Sequence, residues 1–362
     1  MKINVYSGAE PDSMNQTFFP CVSCYHESGG MSMRQLWKDV LAAFVMGMVI
    51  PAILLHGAVS YSANEVEETV PEETKEVISV PLPMKFRESD GTVQIMDMDA
   101  YLTGVVLAEM PAEFEPEALK AQSVAARTYT RKAYETGGKH EDSSVCGDPS
   151  CCQAYISEEE YLQQGGTLEN LEKVSSVVAQ TSGQVLTYDG ELIEATYFSC
   201  SGGTTEDAAV VWGADYPYLK SVESPGEENA QYHRDTVTFT PEAFAQALGR
   251  ELEGSAEDWF TLAAYTAGGS VSVITICGEQ YTGTQLRSLL GLRSAAFTVE
   301  ASDSGIEITT KGYGHRVGMS QYGADAMAVS GSSYEEILTH YYPGTTLVRL
   351  RIDKNGDPEY PN

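Results

Sequence analysis

The sequence predicts an α+β fold of mixed helices and antiparallel strands, with a lobe inserted late in the chain and one transmembrane helix ahead of the folded part. Three observations lead there. Helical and strand patterns alternate irregularly after residue 77, unlike the regular strand-helix-strand order of a doubly wound sheet. No segment repeats at solenoid length. Residues 234–310 differ in texture from what flanks them, with helical stretches at Phe244–Leu252 and Thr284–Leu290 set between strands.

Residues 1–39 read as a cytoplasmic segment. Its first thirty residues carry a Cys21–Cys24 pair without a partner pair or a βαβ context, and are expected to be an upstream extension, with Met31 or Met33 as the start. Val40–Ser60 is free of charge and, at 1.5 Å per residue, spans about 30 Å, the thickness of a hydrocarbon core. Arg34 and Lys38 precede it and Glu65, Glu67 and Glu68 follow, which orients the N-terminus inside and the bulk of the chain outside. An uncleaved signal anchor is expected, although Ala58–Ser60 would serve as a cleavage site. Residues 61–76 form an acidic linker containing Pro71.

The folded domain is expected over 77–348, with a tail at 349–362. Val77–Val80 and Gly91–Met96 read as strands. Asp99 is the expected cap of a helix that stops at Glu109-Met110-Pro111. Pro116 opens the next helix and Gly137-Gly138 closes it. Asp142–Tyr155 is a loop rich in Cys and Asp. Leu171–Thr181 is helical, and Gly183–Gly190 is a strand entering a turn, starting a hairpin with Ile193–Tyr197. After the lobe, glycine-rich Gly312–Gly323 leads into a helix at Ala324–Val329, and an amphipathic helix covers Ser333–Tyr341.

Composition excludes some functions. Fifty-two acidic against 22 basic residues give a net charge of -30, which disfavours nucleic acid as a partner. Hydrophobic content of 42% is that of a folded protein. Seven cysteines, three of them within 146–152, do not make a disulfide scaffold for a chain of this length, and Cys200 and Cys277 read as small buried hydrophobes.

Four places carry chemistry. Glu109 is a lone carboxylate at the last turn of an apolar helix, where unpaired carbonyls and apolar neighbours raise its pKa, as a proton donor near neutral pH requires. His140, Cys146 and Cys152 lie on one short loop and suit tetrahedral zinc, the fourth position falling to water, Cys151 or Asp148. A loop-stapling, structural ion is expected over a catalytic one. Tyr197–Thr205 mixes an aromatic ring, the hydroxyls of Ser199 and Ser201 and a double glycine, a combination suited to sugar. In Gly312–Gly323, small residues flank His315, and Ser320 and Gln321 offer polar contacts; the Lys and glycine spacing of a phosphate loop are missing. Neither a G-x-S-x-G elbow nor an H-E-x-x-H pair is present, which disfavours a serine or zinc hydrolase.

Together these segments resemble the stage II sporulation protein D family of lytic transglycosylases, whose domain is shared with amidase enhancers of the bacterial wall. The likeness covers roughly Val77 to Val348. It is carried by the runs Tyr101–Pro111, Ala118–Tyr129, Cys152–Tyr155, Ser199–Gly203, Val211–Gly213 and Gly314–Gly323. The resemblance implies that Glu109 is the catalytic acid, that Arg127 belongs to the active site, and that His140, Cys146 and Cys152 bind zinc. The residues themselves make Tyr197, Ser199, Ser201, His315 and Gln321 the expected substrate contacts. The resemblance further implies a membrane-anchored enzyme of the sporulation septum that cleaves the glycan strands of peptidoglycan after a partner amidase has removed their peptides, alongside the membrane scaffold of engulfment. A non-catalytic, glycan-binding enhancer of an amidase is the alternative. Two positions depart from the usual family pattern: Cys200 stands where threonine is usual, and Arg316 where glycine is usual. Arg316 is expected to add bulk and charge beside His315.

Overall fold

The computed structural model describes residues 83–352 and 358–359. The span expected at 40–60 and the strand expected at Val77–Val80 lie outside them. No helix among the described residues is long and apolar enough to cross a membrane. Helices and small, largely antiparallel sheets build an α+β architecture.

Strands β1 (Pro83–Arg87) and β2 (Val93–Asp97) pair antiparallel, and β3 (Val145–Cys146) joins the free edge of β1 in parallel. The chain passes straight from β2 into helix α1 (Met98–Glu109). Its cap is Asp97, whose side chain accepts from the N–H groups of Asp99 and Ala100. The expected cap, Asp99, lies two residues further in and uses its carboxylate on Arg127 and Ser182. Tyr101, Leu102, Val105 and Val106 are fully buried, because α1 is enclosed by α2 (Pro116–Thr136) and α4 (Leu168–Gln180); the short α3 (Glu158–Gln163) precedes α4. Alanine at 118, 121, 125 and 126 lets these helices approach closely, and all four are buried. Gly137, with φ 88°, ends α2 in the left-handed conformation that favours glycine.

Next, β4 (Gln184–Tyr188) turns through Asp189 and Gly190, both with positive φ, into β5 (Glu191–Leu192). The return strand is therefore shorter and earlier than the expected Ile193–Tyr197. Residues 197–198 instead form β6 (Tyr197–Phe198), parallel to β13 (Met319–Ser320). The other edge of β4 carries β14 (Thr346–Arg349), and Arg351–Ile352 pairs with Pro358–Glu359 as β15 and β16.

After α5 (Ala208–Trp212) the chain enters a lobe through β7 (Arg234–Phe239) and leaves through β12 (Gly305–Lys311). These two strands pair antiparallel from Arg234↔Lys311 to Phe239↔Ile306, and β11 (Phe297–Ser302) covers the other edge of β12. Between them lie α6 (Pro241–Leu248), the meander β8 (Phe260–Tyr265), β9 (Val271–Ile276), β10 (Glu279–Tyr281), and α7 (Gly283–Leu290). Phe244, Trp259, Ile274, Leu286 and Ile308 form a hydrophobic core separate from that around α1. Helices α8 (Gln321–Val329) and α9 (Tyr334–Tyr341) then return the chain to α2.

Arg316 joins lobe and main body. Its guanidinium is 2% exposed and donates to the carbonyls of Ser201, Thr204 and Gly268, to Ser270 Oγ and to the buried carboxylate of Glu206. It therefore points away from the surface near His315, contrary to expectation. The cause is backbone: Arg316 has φ 67°, a left-handed conformation that turns its side chain inward.

Candidate functional site

Glu109 ends α1 for a local reason. Met110 precedes Pro111, whose ring disfavours helical geometry in the residue before it, and Met110 is extended at φ −138°, ψ 138°. The carboxylate thus emerges where the helix stops. A second segment is laid against it. A Cβ on Gly104 would sit 2.4 Å from the Tyr155 ring and 2.5 Å from the Ile156 carbonyl, so only glycine lets residues 155–156 cross α1 here. That crossing brings the Ala154 N–H to Glu109 Oε1 at 2.7 Å. Gln153, 2% exposed, locks the same segment: its Nε2 donates to Tyr101 and Thr130, and its Oε1 accepts from Tyr197.

These groups line a cleft of about 540 Å³. Tyr197, Ser199, His315 and Gln321 all face it with Glu109, and Glu109 is the one carboxylate among its described lining residues. Burial holds the Glu109 pKa above the ordinary carboxylate value; the Ala154 N–H and the Gln321 amide oppose the shift without cancelling it. Gln321 is 4% exposed, with its side-chain amide turned to the Glu109 carboxylate. The Tyr197 hydroxyl is committed to Gln153, so this residue offers the cleft its ring. His315 packs between Phe198 and Trp212 with centroids 5.6 and 5.2 Å away. Burial, and then the nearby Arg287 cation, pull its pKa down to about 4, and Nδ1 accepts from the Val317 N–H at 3.1 Å. His315 is therefore neutral at physiological pH, with the ring proton on Nε2.

Two expected residues lie elsewhere. Arg127 is 1% exposed and sits at the opposite end of α1, bonded to Asp99 at 3.1 Å, to the Val178 carbonyl at 3.1 Å and to Thr181. Ten residues of helix separate Asp99 from Glu109, about 15 Å. Arg127 ties α1, α2 and α4 together and does not reach the cleft. Ser201 is fully buried, because the chain turns inward at Gly202-Gly203, and it donates to Glu227 at 2.8 Å. Glu227, which sequence reasoning missed, also accepts from the Gly202 N–H, Cys200, Ser224 and Ser320. This buried carboxylate organises the back of the glycine-rich segments.

The cysteine loop converges. His140 Nε2 lies 3.6 Å from both Cys151 and Cys152 Sγ, the two sulfurs are 3.8 Å apart, and Cys146 completes the group within 4.8 Å. A zinc ion with Zn–S of about 2.3 Å and tetrahedral angles requires ligand separations of about 3.5–3.8 Å, so this donor set fits. Cys151 stands where a fourth donor would be needed, while Asp148 turns its carboxylate to Ser150. Burial and the adjacent Cys146 push the Cys152 thiol up to about 12, so this sulfur is a protonated thiol until a cation stabilises the thiolate.

Comparison with known proteins decides the family. The family model described as stage II sporulation protein matches residues 87–188, which contain Glu109 and the whole cysteine loop. Stage II sporulation protein D of Bacillus amyloliquefaciens is 38% identical over 80% of this chain and 84% of its own length. The protein of the same name from Bacillus subtilis (strain 168) is 37% identical over 88% of this chain and 96% of its own. This chain belongs to the stage II sporulation protein D family. An amidase enhancer of Bacillus subtilis (strain 168) is 32% identical over 68% of this chain and 40% of its own length.

Glycine at 316 would suit a left-handed φ; this chain accommodates Arg316 there because its guanidinium makes five hydrogen bonds. Cys200, in place of threonine, presents its thiol to Glu227 at 3.3 Å, where a hydroxyl would also donate.

Proposed function

We propose that this member of the sporulation family is a peptidoglycan lytic transglycosylase that uses Glu109 for both proton transfers. The observation that carries the reading is one proton-retaining carboxylate in a cleft whose described lining holds no second acid. Hydrolysis of a glycosidic bond with inversion needs a second carboxylate to activate water. Intramolecular closure does not. Glu109 gives its proton to the oxygen joining N-acetylmuramic acid to N-acetylglucosamine as the C1–O bond breaks. The muramoyl C6 hydroxyl then bonds to C1, its proton returns to Glu109, and a 1,6-anhydro ring is left. The Ala154 N–H favours the carboxylate that exists between the two steps. Neutral His315 and the Gln321 amide border the reacting sugar without adding charge.

His140, Cys146, Cys151 and Cys152 would hold zinc. With four protein donors the ion's contribution is to brace the loop that ends at Gln153-Ala154, and so the N–H on Glu109. Anchoring through residues 40–60, with the domain outside the cytoplasm at the sporulation septum and a wall amidase as partner, completes the proposal. Digesting glycan strands in H₂¹⁸O tests the chemistry: new ends one water lighter and free of ¹⁸O support it, and ¹⁸O-labelled reducing ends contradict it. The named amidase enhancer among the relatives favours a second reading, glycan binding without cleavage. It predicts intact strands in the same digest.

A further inference from the structure

A second groove, of about 790 Å³, runs on from the cleft between α5 of the main body and α7 of the lobe, sharing Gly314 and His315 with it. Trp212 stands at its edge, 43% exposed, with one side of the ring against His315. Arg287, from the middle of α7, lines the groove half-buried. Two of the lobe's other arginines, at 250 and 293, pair with Glu279 and Asp235, whereas the Arg287 guanidinium has neither an ion pair nor a hydrogen bond among the described residues. It also lies near enough to His315 to help hold that ring neutral.

Acids are abundant in this chain, 52 in all, yet no carboxylate is among the described residues lining this groove. A partly desolvated guanidinium without a partner is costly, and its planar fork matches a carboxylate. An acid-free wall leaves that match to a ligand. Trp212 offers a face for a sugar ring, and Thr284 and Ser288, one helical turn apart beside Arg287, offer hydroxyls.

Resting on the glycan reading above, we infer that this groove is a subsite for a carboxylate-bearing sugar residue of the same strand, with Arg287 pairing with a free muramoyl lactyl carboxylate. A peptide attached through that carboxyl replaces the charge with an amide and adds bulk. Arg287 thus makes the enzyme selective for residues whose peptide has been removed.

The test uses full-length Glu109→Gln protein, which isolates binding from turnover, and two glycan preparations: peptide-free strands, and the same strands with their lactyl carboxyls converted to methylamides. Calorimetry should give at least about tenfold tighter binding of the free acid, as loss of a charge-assisted contact implies. Adding Arg287→Gln should remove that preference, and Arg287→Lys should restore part of it. Equal binding of the two strands, or a preference that survives Arg287→Gln, overturns the subsite. Cleavage by the native protein is scored separately: strands cut with equal efficiency before and after amidation defeat the subsite and leave the transglycosylase reading standing. Strands that bind with the Arg287-dependent preference but are never cut defeat the transglycosylase reading alone.

Discussion

Replacing Arg316 by glycine, the residue best suited to its left-handed φ, should destabilise this protein. The side chain is 2% exposed and holds Glu206, itself 1% exposed, at 3.3 Å. Glu206 would keep the Thr266 hydroxyl and the Ser270 N–H as donors but lose its counter-charge, and the carbonyls of Ser201, Thr204 and Gly268 would lose theirs. Removing one member of a buried pair costs about 3–5 kcal/mol. Release of the left-handed φ returns about 1 kcal/mol. The net loss is about 2–4 kcal/mol, which for a domain of this size lowers Tm by roughly 5–15 °C. Thermal melting of Arg316→Gly, Glu206→Gln and the double variant is the assay. Because the two residues share one contact, the double variant should be more stable than the summed single losses by about 1 kcal/mol or more. A Tm within about 2 °C of the native value, or strict additivity, would refute the assignment of Arg316 as the tie between lobe and body.

Three further outcomes are expected. The raised pKa of Glu109 means that the folded state keeps this proton longer than the unfolded chain does, so the associated stability is present at low pH and lost as pH rises through the folded pKa. Glu109→Gln should therefore raise Tm relative to native at pH 7 more than at pH 4; an equal difference at both would contradict the shift. Gly104→Ala forces Tyr155 and the Ile156 backbone outward, costing about 1–3 kcal/mol, and should reduce activity further than its Tm explains because the Ala154 N–H moves off Glu109. Metal analysis should find one zinc per chain, with Cys151→Ser, like Cys146→Ser, both lowering occupancy and lowering Tm; full occupancy in Cys151→Ser would restrict the ligands to His140, Cys146 and Cys152 with water.

The parts of this molecule legible in its sequence are those set by local chemistry. Pro116 and Gly137 bracket α2 because one tolerates a helix start and the other a left-handed exit. Met110-Pro111 ends α1 at Glu109 for a steric reason visible in two residues. What depended on which distant groups meet was not legible. Arg127 reads as a cation on a helix near an acid, but nothing local says that it faces the Asp99 end of α1 and not the Glu109 end. Ser201 and Ser199 look alike in sequence, yet the turn at Gly202 sends one to buried Glu227 and leaves the other on the cleft. Arg316 could have been suspected: an arginine where glycine is usual, inside a glycine-rich run, hints at a left-handed backbone that redirects the side chain. Which of water, Cys151 and Asp148 lies near the other donors depends on the loop's path, which brings Cys151 beside His140 and turns Asp148 to Ser150.

The most direct test of the single-acid account counts 1,6-anhydro-muramoyl ends by mass spectrometry after full-length native and Glu109→Gln proteins have acted on peptide-free glycan. Native protein should generate these ends, and Glu109→Gln, folded and at least as stable at pH 7, should generate them about 10²- to 10⁴-fold more slowly. Anhydro ends formed at the same rate by both proteins would contradict the account.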